Sequence, residues 1–231
     1  MIATERFVFL HLHKSGGSFV NDCIRRFLPG VREIGYHLPG HLIPPAYARL
    51  PVIGLVRNPW SYYVSWYSYQ RQRPQPNVLY QVLSEDGVRD FAGTIGNMLD
   101  LGRDDALLER LVARLPVQYG GRGLNLPGFA LAPIRGTRRG FYSFLHDYLY
   151  GGVQAPVHVR CMEALPDALL ELFAEVDQPV SDELRRFVLA APPKNPSQHD
   201  AWPGYYDDAL RERVAAADAP LIARYGYRFD S

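Results

Sequence analysis

Two short stretches of this chain are apolar without interruption: Phe7-Val8-Phe9-Leu10 and Val52-Ile53-Gly54-Leu55-Val56. A strand of alternating character can leave one face in water, whereas a continuous one needs cover on both faces, as in a parallel sheet held between helices. Each run passes through a few small or polar residues into a helix-like segment. After the first, Phe19, Val20, Cys23, Ile24 and Phe27 recur at helical spacing until Pro29-Gly30 supplies the stop. After the second, the segment from Trp60 to about Gln72 has no breaker until Pro74. Two strand-loop-helix units in succession point to an α/β fold.

The remainder of the chain fits that reading with less force. Between Gln75 and Gly152 the periodicity weakens, although Asp104 can cap a helix that places Leu107, Leu108, Leu111 and Val112 on one face. Glycines and prolines from Gly120 to Gly140 indicate an irregular excursion. Pro156-Val157-His158-Val159-Arg160 reads as a short strand and Pro166 to Val176 as a helix with Leu169, Leu170, Leu172 and Phe173 inward. Ser181 can cap the next helix, with Glu183 in its first turn where the helix dipole favours it. The expectation is a three-layer α/β/α domain with a central parallel sheet, spanning 1–231 as one domain, with 75–155 as an excursion that shapes a binding pocket.

Composition narrows the function classes. The 25 basic and 24 acidic residues nearly cancel, so no whole-protein field draws in nucleic acid or an anionic membrane, and any anion site must be local. Cys23 and Cys161 are the only cysteines and are too few and too far apart for a disulfide scaffold or a metal pair, which favours a reducing compartment. The apolar run after Arg6 is too short for a signal-peptide core or a membrane span. A soluble, cytoplasmic protein is expected; the oligomeric state is not legible.

The loops carry the chemistry. His11-Leu12-His13-Lys14-Ser15-Gly16-Gly17-Ser18-Phe19 joins the first strand to its helix, and a helix start offers unpaired N–H groups and a dipole that both favour an anion. Arg57-Asn58-Pro59 through Ser65 follows the second strand and offers a cation and a hydroxyl. Two such loops suit a ligand with two separated phosphate-like groups. The nucleotide-triphosphate loop Gly-x4-Gly-Lys-Ser/Thr has its lysine after the glycines. Here Lys14 precedes them, and no acidic metal ligand stands at the end of the 52–56 strand. The loop is suited to an anion without a metal.

These residues resemble the sulfotransferases that use 3′-phosphoadenosine-5′-phosphosulfate (PAPS). The family's 5′-phosphosulfate loop is similar to Lys14-Ser15-Gly16-Gly17-Ser18, and its Arg-Asn/Asp-Pro with a serine eight residues on resembles Arg57-Asn58-Pro59 and Ser65. His37-Leu38-Pro39, twenty residues before Arg57, resembles the His-Leu-Pro of cytosolic members. Weaker likeness continues in His158-Val159-Arg160-Cys161-Met162-Glu163-Ala164-Leu165 and, as in many bacterial members, in Gly226-Tyr227-Arg228-Phe229. Two positions depart: His13 stands where many members have proline, and Cys161-Met162 replaces a nucleotide-positioning aromatic residue.

The resemblance implies a P-loop-NTPase-like sulfotransferase fold and a set of roles. Lys14 would stabilise charge on the bridging oxygen as the phosphate leaves, a contribution made in the transition state. The donor would be held by Lys14, Ser15, Gly16, Gly17, Ser18 and Phe19 at one end, and by Arg57 and Ser65 at the other. His37 would be the general base, with His41 its competitor; Pro39 between them argues against a helical metal pair. His11 and His13 read as packing or loop residues. The aromatic run Trp60, Tyr62, Tyr63, Trp66, Tyr67 and Tyr69 reads first as core, and Arg135, Arg138 and Arg139 as a solvated loop. The implied reaction takes a sulfuryl group from PAPS to a hydroxyl or amine of a small-molecule or glycan acceptor, with no metal. A nucleotide-dependent kinase on a related fold and a non-catalytic nucleotide- or glycan-binding protein are the alternatives.

Overall fold

The computed structural model describes residues 1–120, 123–190 and 199–230. Its strands are β1 (Ile2–Ala3), β2 (Val8–Leu10), β3 (Arg32–Glu33), β4 (Val52–Val56) and β5 (Val157–Cys161). The first helices are α1 (Gly17–Phe27), α2 (Pro59–Arg71), α3 (Val78–Leu83), α4 (Phe91–Asp100) and α5 (Asp105–Val112). Then come α6 (Gly128–Leu131), α7 (Phe141–Tyr150), α8 (Leu165–Glu175), α9 (Asp182–Ala190), α10 (Asp208–Ala217) and α11 (Ala219–Tyr225). The arrangement is mixed α/β, a sheet flanked by helices. It divides into two compact units: Met1–Arg57 with His146–Pro196, and Asn58–Leu145 with Ser197–Ser231, each in its described part.

The first unit holds the sheet, in the order β3-β1-β2-β4-β5. The strands β2, β4 and β5 are parallel, as the continuous apolar runs require, and every residue of β2 and β4 is buried. The sheet is not parallel throughout, which corrects the sequence expectation: β1 pairs antiparallel with both β2 and β3. A tight turn makes that possible, since the Thr4 hydroxyl donates to the Phe7 carbonyl at 3.0 Å and accepts from the Phe7 N–H at 3.0 Å. Strands of two residues carry no periodicity, so neither β1 nor β3 was legible.

Side chains on alternate positions serve opposite faces. Phe7, Phe9, Ile53 and Leu55 enter one apolar cluster with Val20, Ile24, Leu169, Leu172, Phe173, Leu184 and Val188 from α1, α8 and α9. On the other face Gly54 makes room for Tyr150, at the end of α7: a Cβ at position 54 would lie 2.2 Å from the Tyr150 hydroxyl oxygen. That hydroxyl donates to the Leu55 carbonyl at 3.0 Å and lies 3.4 Å from the Leu10 carbonyl. It thereby ties together the ends of β2 and β4. The helix expected from Ser181 is α9, with the Ser181 hydroxyl accepting from the Leu184 N–H at 3.2 Å.

The second unit is helical, including most of the stretch where the sequence pattern was weak; positions 121 and 122 of the expected excursion lie outside the described residues. Asn58 caps α2 by accepting from the Trp60 N–H at 3.1 Å, with Pro59 at the first helical position where its missing donor costs nothing. Residues of α2 are buried nearly all round, and the aromatic run is core: Tyr62 stacks on Tyr142 with centroids 3.8 Å apart. Asp104 caps α5 as expected, accepting from the Leu107 N–H at 2.9 Å. A group not anticipated is Asp218, a fully buried carboxylate that accepts from the Tyr63 hydroxyl at 2.7 Å and from the Ser143 N–H at 2.8 Å. Burial pushes its pKa up, against those two hydrogen bonds.

Candidate functional site

Because β2 and β4 are parallel neighbours, the loops at their C-terminal ends leave the sheet side by side, where ligands of open α/β sheets bind. Lys14 stands four residues beyond β2, and Arg57 follows β4 directly. The Arg57 Nη1 donates to the Lys14 carbonyl at 3.2 Å. The two cations are thus held together by the fold. Lys14 is lowered to a pKa of about 8, first by burial and then by the charge of Arg57. Lowering both costs would require a negative group between them.

The backbone of this loop is shaped for such a group. Lys14 and Gly16 both take left-handed backbone, φ 57° and 76°, on either side of Ser15, and alternation of this kind turns successive N–H groups toward a common point. The start of α1 has no side-chain cap and no acidic residue in its first turn. The Phe19 N–H closes on the Gly16 carbonyl at 3.0 Å, so the donors at the helix start are those of Gly17 and Ser18. Ser15 is fully buried and its hydroxyl donates to the His13 carbonyl at 3.2 Å, which ties the loop to itself. The Phe19 side chain belongs to the apolar cluster, and only its main chain is at the loop. Gly17 meets a separate demand: a Cβ there would lie 1.9 Å from Cδ2 of His11.

The second component is a group of stacked rings. His37 is 6% exposed and its Nδ1 lies 2.6 Å from the His11 carbonyl. A carbonyl only accepts, so Nδ1 carries the proton and Nε2 carries the lone pair. Burial, and after it the neighbouring His13 and His11, hold His37 well below the usual histidine range, so it is neutral at pH 7. The His13 ring lies flat on it at 3.6 Å, with His11 at 4.4 Å and Tyr36 edge-on at 4.1 Å. His11 is itself buried and depressed, with Nδ1 facing the Asn21 amide nitrogen at 3.3 Å. A neutral imidazole with a fixed tautomer is the form a general base needs.

The expected residues therefore divide. Lys14, Arg57, the Gly16–Ser18 backbone and His37 are gathered in the first unit; His41 sits exposed on the short 3-10 turn Gly40–Leu42, its ring 6.3 Å from that of Tyr148. Ser65 is a buried residue of α2 in the second unit, 2% exposed. Sequence reading missed His11, His13, Tyr36 and Tyr150 as parts of this arrangement. Gly54 and Gly17 were the available signals, since a glycine inside a strand or on a helix often marks a close approach. Arg160 pairs with Glu171 and Glu175 on α8, and Arg135 with Asp105 and Glu109 in the second unit. Cys23 is a core thiol with its pKa pushed up to about 12 by burial.

Among the described residues no three His, Cys, Asp or Glu side chains are grouped so as to hold a metal ion, and no helix is long and apolar enough to cross a membrane. No protein-family model and no curated protein matches the chain. Among solved structures a match is the mouse sulfotransferase SULT7A1 complexed with PAP, at 14% identity and a TM-score of 0.49, over 97% of this chain and 91% of that one. At that level of likeness the functional reading falls to the residues themselves.

Proposed function

We propose that the chain is a PAPS-dependent sulfotransferase, a cytoplasmic enzyme whose residues 1–231 form one P-loop-NTPase-like sulfotransferase domain. The observation that carries the reading is the meeting, at the ends of adjacent parallel strands, of two cations with a neutral histidine of fixed tautomer. In this scheme Lys14 and the N–H groups of Gly17 and Ser18 receive the phosphosulfate end of the donor, with Ser15, Gly16 and Phe19 shaping the loop. Arg57 and Ser65 are assigned to its 3′-phosphate. The acceptor, a small molecule or a glycan, presents a hydroxyl or amine. Its oxygen or nitrogen forms a bond to sulfur as the bond from sulfur to the bridging phosphate oxygen breaks. His37 Nε2 takes the acceptor's proton, and adenosine 3′,5′-bisphosphate leaves. Lys14 stabilises the charge growing on that phosphate. His37 is favoured over His41 because its ring is held and its tautomer set.

Calorimetric titration of the metal-free protein with adenosine 3′,5′-bisphosphate, beside ATP with magnesium, tests the donor site. Binding of the bisphosphate alone, lost in a Lys14→Ala, Arg57→Ala double variant, is expected. Binding only to ATP with magnesium would transfer the case to a kinase. With the donor site established, a PAPS-dependent acceptor screen tests the chemistry; His37→Ala should lower the rate about 10²–10⁴-fold with nucleotide affinity unchanged.

A further inference from the structure

His37 reaches its place on a backbone of φ 52°, and its ring is then enclosed by three others. Two of those contacts are at an angle: His11 at 50° and Tyr36 at 70°. The third is a face-to-face stack, His13 at 3.6 Å and 18°. His13 also belongs to the anion loop, immediately before Lys14, and its carbonyl accepts from the Ser15 hydroxyl. The residue that floors the candidate base is thus covalently part of the candidate donor site.

Resting on the assignment of His37 as base, we propose that His13 is its positioning residue: the imidazole laid flat on His37 prevents the ring from turning over, and so keeps Nδ1 on the His11 carbonyl and Nε2 toward the acceptor. A single hydrogen bond leaves rotation about that bond open; a stacked face closes it. Two imidazolium rings at this spacing repel, so a proton on one disfavours a proton on the other. The groups facing His37 are His13 and His11 from the end of β2, Tyr36 from its own loop and, farther away, the amine of Met1; His13 is first among the charged ones. Burial is the first cause that holds His37 low, and His13 adds to it.

The experiment is nitrogen-detected imidazole NMR on the intact protein across pH 5–8, with wild type, His13→Phe and His13→Ala, alongside kcat and KM for sulfuryl transfer. His13→Phe keeps a ring and removes its charge. The tautomer of His37 should stay fixed, while its titration midpoint and the acidic limb of kcat/KM both move upward. His13→Ala should give a mixed tautomer and lower kcat about tenfold or more at unchanged nucleotide KM. An identical His37 tautomer and midpoint in all three proteins would overturn the proposal. If His13→Ala does not fold, His13→Leu, which removes the flat ring and keeps apolar bulk, takes its place, and an unchanged His37 tautomer there overturns the proposal. The NMR readings need no turnover: a protein that shows them but does not bind adenosine 3′,5′-bisphosphate refutes the sulfotransferase reading, while the hold of His13 on the His37 ring still stands.

Discussion

Lys14 offers a pH test whose size follows from the structure. Its ammonium is half-buried beside Arg57 and titrates near 8, well below an ordinary lysine. The anion selects the protonated form. At pH 7 about nine lysines in ten carry the proton and at pH 9 about one in ten, so affinity for adenosine 3′,5′-bisphosphate should fall about tenfold across that interval and then by about tenfold per further unit. The sign is fixed: a cation with a lowered pKa loses its charge as pH rises, and the binding goes with it. The ligand's own phosphates ionise for the second time near 6 and are constant over the range, as is Arg57. Calorimetry at pH 7, 8 and 9 reads the affinities, and at pH 8 the enthalpy should vary with buffer because binding takes up about half a proton. Lys14→Arg should flatten the profile, and Lys14→Ala should flatten it at about 10–100-fold weaker binding, the loss of one charged hydrogen bond. A wild-type affinity constant within twofold from pH 7 to 9, or a slope that survives in Lys14→Ala, would refute the assignment.

Three further outcomes concern stability. Gly54→Ala places a methyl group 2.2 Å from the Tyr150 hydroxyl oxygen and should cost about 1–3 kcal/mol in denaturant unfolding, with partial recovery in a Gly54→Ala, Tyr150→Leu double variant; an unaffected midpoint would show that Tyr150 does not occupy that space. His11 and His37 are both depressed from 6.5, so the unfolded chain takes up their protons first and stability is lost as pH falls below 6.5, by about 1.4 kcal/mol per unit for each. His37→Asn should remove about half of that slope, measured from pH 7.5 to 5.5. Asp218→Ala would leave the Tyr63 hydroxyl and the Ser143 N–H without their acceptor in a buried setting, an expected loss of about 3–5 kcal/mol against about 1–3 for Asp218→Asn; equal midpoints for the two would show that the carboxylate's hydrogen bonds are not what matters.

What could be read in the sequence was local. The runs at 7–10 and 52–56, the caps at Asp104 and Ser181 and the loop around Lys14 each state their structure within a few residues. The helices α3, α4 and α6 were harder: α3 and α6 span only six and four residues, and α4 carries glycines at 93 and 96 within its pattern. Their caps were nevertheless present: Asn77 and Asp90 each accept from an N–H three residues on. The rings around His37 were beyond reach for another reason. They join the end of β2 to a loop that returns 26 residues later, at 2.6 Å, and nothing local announces such a crossing. Tyr150 is more remote still, and only the glycine it displaces at position 54 marks it in the sequence.

Backbone strain connects these two kinds of information. Among the described residues six that are not glycine have positive φ, and Glu85, Asp86, Asn125 and Asp177 are of the acidic and amide types that often occupy turns. The other two are Lys14 and His37. Histidine is among the types found there more often and lysine is not, and holding that backbone costs of order 1–3 kcal/mol at each. A fold retains such a cost only where neighbouring structure over-determines the residue. Lys14 is fixed by the Arg57 hydrogen bond to its carbonyl and by the turn into α1, His37 by the His11 carbonyl and the stacked His13. Glycine would relieve the strain at both positions and would remove the ammonium and the imidazole. That the chain instead bears strain at its candidate cation and its candidate base, both beside the end of β2, is the pattern expected of groups placed for chemistry rather than for stability.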